Sequence, residues 1–151
     1  MKYERYIPKF VSIVAIVLGS LDLVRGFMHT IFLDYAATNI AGFDLTTTLA
    51  GDLLQQMGAF GISNFLTGIM LILIGWKARP LALIMLGFIP VAYAIGVAGI
   101  KFNSAPYAPS QAAWGGTTFM LVYLAVCVIT FIAGVLTTLY RKKKEGELVQ
   151  A

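Results

Sequence analysis

The chain has 151 residues, of which 59% are hydrophobic and only 12% charged. Charged residues make up about a quarter of ordinary soluble domains. A fold of this size in water has no interior large enough for so much apolar surface, so lipid must cover it. The net charge of +4 does not indicate nucleic acid as a partner, because the basic residues collect beside apolar runs instead of forming a stripe on a soluble face.

Four apolar runs follow one another along the chain and define an all-α membrane fold. It is a four-transmembrane-helix bundle that forms a single domain over residues 1–151. The first span covers residues 10–33 behind Pro8, which suits a first helical turn. At about 24 residues it is longer than a signal-peptide core and reads as a span instead of a cleaved leader. A polar loop at 34–51 leads to the second span, 52–76, with Asp44 as its expected N-cap. A tight connection, Lys77–Arg79, precedes the third span, 80–100, which opens on Pro80 and carries Pro90 as an expected kink. The loop at 101–114 leads to the fourth span, 115–140, and then to a short polar tail expected to fray.

Charge asymmetry sets an expected orientation. Lys2, Arg5 and Lys9 precede the first span, Lys77 and Arg79 separate the second and third, and Arg141 to Lys144 follow the fourth. The opposite side carries Lys101 with Asp34, Asp44 and Asp52. Both termini are therefore expected in the cytoplasm, with the protein a multi-pass component of the cell membrane. Tyr3, Tyr6, Trp76 and Tyr140 suit one interface, and Tyr35, Tyr107 and Trp114 the other.

The first span holds the unusual chemistry. At heptad spacing, Ser12, Ala15, Gly19, Asp22, Gly26 and His29 form a seam of small and polar residues. Small residues let helix backbones approach closely, so this seam is expected to face another helix. The second span offers matching small residues, including Gly61 and Gly68. Arg25 lies three residues after Asp22 and four before His29, which makes the three side chains neighbours on one helix. Near a span centre Asp and Arg each cost roughly 2.5–3.5 kcal/mol, which the aliphatic and Phe residues of the span only about balance at roughly −0.3 to −0.6 kcal/mol each. Counted by a rise of about 1.5 Å per residue, Asp22, Asn64 and Tyr93 fall near the midplane. Arg25 and Tyr123 come slightly above it, and His29, Gln55 and Gln56 near the outer surface.

Each feature has a structural and a functional reading. Asp22–Arg25 is either a charge pair that fixes helix register or an anchor for a quinone, a lipid headgroup or another ligand, with His29, Asn64, Tyr93 and Tyr123 completing an intramembrane polar cluster. His29 is an interfacial polar residue or a proton relay. Asn64, Gln55 and Gln56 are interhelical hydrogen-bonding groups, with Asn64 expected to reach Asp22 or Arg25. Cys127 lies in an apolar run without a charged neighbour and reads as a small buried hydrophobe. With one Cys and one His, neither a disulfide nor a metal-binding histidine cluster is expected within the chain. No phosphate-cradling loop, CxxC or nucleophile–base set is present, so no catalytic residue is assigned and an enzyme is not expected.

The stretch Leu66-Thr67-Gly68-Ile69-Met70-Leu71-Ile72-Leu73-Ile74-Gly75, followed by Trp76, Lys77, Ala78, Arg79 and Pro80, resembles the second–third helix hairpin of DoxX-like membrane proteins. Arg25-Gly26-Phe27-Met28-His29 is similar to the end of their first helix. The resemblance implies membrane redox chemistry, since some members are subunits of a thiosulfate:quinone oxidoreductase. It carries no specific catalytic residue onto this chain; Arg25 and His29 are candidates by position. The expected function is a non-catalytic subunit or partner in a larger membrane complex, of redox character where the resemblance holds. Its rivals are a quinone- or lipid-binding redox component and a small-solute or proton transporter. No cofactor intrinsic to the chain is expected; the partners are membrane lipids and other membrane subunits or a second copy.

Overall fold

The computed structural model describes residues 4–106 and 112–150, with side chains to Gly146. Lys2, Tyr3 and Tyr107 lie outside the described residues. Four long helices dominate: α1 (Lys9–Met28), α2 (Ala50–Lys77), α3 (Arg79–Ser104) and α4 (Thr117–Gln150). Each has the length and apolar composition to cross a membrane, and the described residues contain no strand. The protein is an all-α membrane protein. Its 20-residue α1 extends about 30 Å, the thickness of a hydrocarbon core.

The helix ends differ from the expected span ends for local reasons. Helix α1 stops at Met28 instead of continuing to residue 33, because the Phe27 carbonyl accepts the N–H groups of Thr30, Ile31 and Phe32 at 3.4, 2.9 and 3.1 Å. One acceptor shared among three donors ends the regular ladder. Asp44 does not cap α2. Its carboxylate accepts the Thr46 N–H at 2.9 Å and the Thr46 hydroxyl at 2.7 Å, closing a local turn. These bonds hold its pKa below the ordinary carboxylate value, and α2 begins six residues later behind Leu49. The tail after Tyr140 does not fray, since α4 continues to Gln150. Glu145 pairs there with Arg5, and Arg141 Nη1 donates to the Tyr6 carbonyl at 3.4 Å. Arg79 Nη1 likewise donates to the Ile7 carbonyl at 3.1 Å. The amino-terminal turn, the α2–α3 connection and the carboxy-terminal part of α4 thus meet at one basic end of the bundle.

The main core runs from that basic end past the middle of the bundle. Val11, Ala15 and Leu18 of α1 meet Leu71 of α2, Ala82, Leu83 and Leu86 of α3, and Tyr123 and Cys127 of α4. Helices α3 and α4 interlock through their glycines: a methyl group built on Gly87 would lie 2.8 Å from the Phe131 ring, and one on Gly134 2.6 Å from Leu83. Burial on α3 ends at Leu86, just before Pro90, where the missing N–H interrupts the ladder. Beyond it residues 91–106 are all exposed except the half-buried Tyr93.

The 34–51 segment is not the open polar loop its composition suggests. One α-turn (Leu33–Tyr35) runs into a π-helical segment (Ala36–Ala41), and Ala36, Ala37 and Ala41 are buried with Met57. This segment is pinned to the start of α4, because Trp114 N–H donates to the Ala41 carbonyl at 3.1 Å and Gly115 N–H to that of Ile40 at 2.9 Å. The Phe43 and Trp114 rings meet edge to face at 5.3 Å. Trp114 holds a positive φ of 46°, an uncommon conformation for a residue with a side chain. Gly115 must lack a side chain, since a methyl group there would lie 2.7 Å from the Ile40 carbonyl oxygen.

Candidate functional site

Helices α1 and α2 run antiparallel in close contact along the small-residue seam. A methyl group on Gly19 would lie 2.7 Å from the Gly68 carbonyl oxygen, and one on Gly68 2.6 Å from the Gly19 oxygen. Nearer the basic end, a methyl group on Gly75 would lie 3.0 Å from the Ser12 carbonyl oxygen and 3.2 Å from the Ala15 side chain. Nearer the opposite end, a methyl group on Gly61 would lie 2.9 Å from the His29 backbone, and one on Gly26 2.7 Å from the Phe65 ring. Gly61, Gly68 and Gly75 recur every seven residues, as do Ser12, Gly19 and Gly26 on the opposing helix. A seven-residue repeat keeps one side of a helix towards its partner over several turns. Gly75 belongs to this seam although the sequence reading placed it in the hairpin alone; its spacing from Gly68 was the available signal.

This tight pair positions the polar groups. Asp22 is only 3% exposed, and both its carboxylate oxygens are engaged. Arg25 Nη1 donates to Oδ1 at 3.3 Å, and the Tyr123 hydroxyl of α4 donates to Oδ2 at 2.9 Å. A buried carboxylate requires such partners, because an uncompensated charge away from water is costly. Arg25 also approaches the Met120 sulfur at 3.7 Å. Its side chain is 27% exposed, so the guanidinium sits at the margin of the packed core.

Asn64 does not reach Asp22 or Arg25, as its estimated depth had suggested. Its side-chain nitrogen lies 3.2 Å from Nδ1 of His29. Helical side chains lean towards their own amino terminus. On antiparallel helices, His29 therefore leans towards the basic end while Asn64 leans away from it, and the two meet. Asp22 leans away from Asn64. Depth along the axis is thus an incomplete guide to contact.

The six candidate residues accordingly form two groups and a remainder. Asp22, Arg25 and Tyr123 join α1 to α4, His29 and Asn64 join α1 to α2, and Tyr93 of α3 hydrogen-bonds to neither group among the described residues. Gln55 and Gln56 are exposed and make no interhelical hydrogen bond among the described residues. Ser12, Ala15, Gly19, Gly26, Gly61 and Gly68 all lie at the α1–α2 contact. Cys127 is fully buried. Among the described residues, no group of three or more His, Cys, Asp or Glu side chains is placed to hold a metal ion, and no buried side-chain nitrogen or oxygen lacks a hydrogen-bond partner.

No protein-family model, curated protein or solved structure matches this chain.

Proposed function

We propose that the protein is a non-catalytic subunit or partner within a larger assembly of the cell membrane, oriented with both ends in the cytoplasm. The observation that carries this reading is the distal half of α3. Beyond Pro90 it turns an open surface outward that includes Gly96 and Gly99, with nothing within 4 Å of a methyl group built on either. Small residues on a membrane helix favour close contact with another helix, whereas lipid-facing positions elsewhere in this chain carry Phe, Leu and Ile. The internal satisfaction of Asp22 supports a structural role for its cluster. The concentration of Lys and Arg at one end supports the orientation. The resemblance of residues 66–80 to the DoxX-like hairpin makes a redox assembly the first candidate.

One observation favours a quinone- or lipid-binding component instead: Arg25 retains partial exposure beside Met120, and its planar fork has five N–H donors to share. Mild-detergent purification followed by native mass spectrometry separates the readings. A stoichiometric second subunit or a discrete homo-oligomer is expected, together with maleimide crosslinking from Gly96→Cys but not from Leu66→Cys on α2, both in a Cys127→Ala background. A monomer without crosslinks overturns the assembly reading, and a monomer that retains extractable quinone establishes its rival.

A further inference from the structure

A groove of about 290 Å³ opens at the basic end, away from the Asp22 cluster. Lys9, Arg79, Glu4 and Trp76 line it together with Ile13 and Ile16 of α1. Its floor is the helix contact itself, where Ser12 and Gly75 meet. We propose that this groove binds the headgroup and upper acyl chain of an anionic phospholipid.

Three observations converge on that occupant. The first is charge: Lys9 and Arg79 outweigh Glu4 among the lining residues, and Lys77 over the Trp76 ring adds a third cation at the edge, so the groove suits an anionic phosphodiester. The Arg79 guanidinium is held in place by its bond to the Ile7 carbonyl at 3.1 Å, and its fork retains other donors for a phosphate oxygen. Lys9 is exposed at the first residue of α1. Glu4 supplies an acceptor for headgroup hydroxyls.

The second is depth. Ile13 and Ile16 follow Lys9 by four and seven residues, which places them about 6 and 10 Å deeper along the helix. A ligand with its phosphate at Lys9 and Arg79 therefore lays an apolar chain over Ile13, which is 60% exposed. Free phosphate would leave that apolar wall unused.

The third is the interfacial anchor. Trp76 is 69% exposed, and the Lys77 ammonium stacks over its ring at 3.8 Å. Trp at this level marks the headgroup boundary of a bilayer. The volume lies at the small end of ligand sites, suited to a headgroup with the whole lipid body remaining in the bilayer.

The test uses the full chain with Trp114→Phe, which leaves Trp76 as the sole tryptophan, reconstituted into vesicles of defined composition. Brominated phosphatidylglycerol should quench Trp76 at lower mole fraction than brominated phosphatidylcholine or phosphatidylethanolamine. Lys9→Gln should reduce that preference about fivefold, the effect expected of one cation at a membrane surface. Arg79→Gln should reduce it similarly, while simultaneous Gln replacement of Lys142 and Lys143 should leave it intact. Native mass spectrometry of the unmodified chain against Lys9→Gln gives a second reading: phosphatidylglycerol retained by the former should be lost from the latter. Equal quenching by all three lipids overturns the site. So does stronger binding of phosphatidylethanolamine, or a preference that survives Lys9→Gln and disappears with the tail lysines.

Discussion

Glycine is used in opposite ways at the two ends of the bundle's packing range. On the α1–α2 contact, Gly19 and Gly68 bring two backbones so close that neither position has room for a single methyl group. On the distal half of α3, Gly96 and Gly99 face open space. In lipid the hydrophobic effect does not distinguish one apolar surface from another, so helices associate through packing and polar contacts. The first region has used its small residues for that purpose within the chain. The second leaves its small residues uncovered by any of the described residues.

The largest expected effect breaks the first region. Gly68→Val meets the Gly19 carbonyl, a backbone group that cannot swing aside, and should cost about 3 kcal/mol or more. Gly96→Val should change monomer stability by no more than about 0.5 kcal/mol. The single buried thiol, Cys127, makes both measurable as the temperature at which a thiol-reactive dye gains access. Comparable losses in the two variants would mean that the distal half of α3 is packed in the membrane-embedded monomer.

A somewhat smaller effect concerns the charge pair behind the seam. Arg25→Leu leaves Asp22 buried with Tyr123 alone, and breaking such a pair costs about 3 kcal/mol at the lower end of the observed range, Arg25 being partly exposed. Replacing Asp22 and Arg25 with Leu and Tyr123 with Phe removes all three partners together and should restore most of the loss, read by the same dye or by expression level. If the triple variant is as damaged as the single one, the pair does more than fix how α1 sits against α4.

The smallest effect belongs to the distal cap. Hydrogen bonds from Thr46 hold the Asp44 pKa below the ordinary carboxylate value. Their contribution is therefore present above the unfolded value and is lost as pH falls through the lower folded one. With Trp76→Phe in place, Trp114 emission should begin to change only below about pH 4, since Phe43 next to Asp44 packs on that ring. Asp44→Ala should show the altered emission at neutral pH. An unchanged spectrum in the Ala variant would separate the Asp44 turn from the Phe43–Trp114 contact.

Some of this was open to inspection in the linear chain. Long apolar runs bounded by basic residues specify membrane helices, because hydrocarbon leaves the backbone no partner but itself. The small-residue seam was legible because seven-residue spacing is a one-dimensional pattern. The buried alanines at 36, 37 and 41 were not, since Asp34, Thr38 and Asn39 beside them give the segment the composition of a loop. Nor was the end of α1, which depends on three N–H groups converging on the Phe27 carbonyl.

The sequence by itself determined the solvent, the number of spans and the seam on α1, all consequences of composition and periodicity along one axis. Tertiary structure alone decided that Tyr123 and not Asn64 serves Asp22, that Asn64 turns to His29, and that α3 parts from the bundle near Pro90. Those outcomes depend on the direction in which each side chain leans and on how closely two backbones approach. Both are set only when helices distant in the chain are laid side by side.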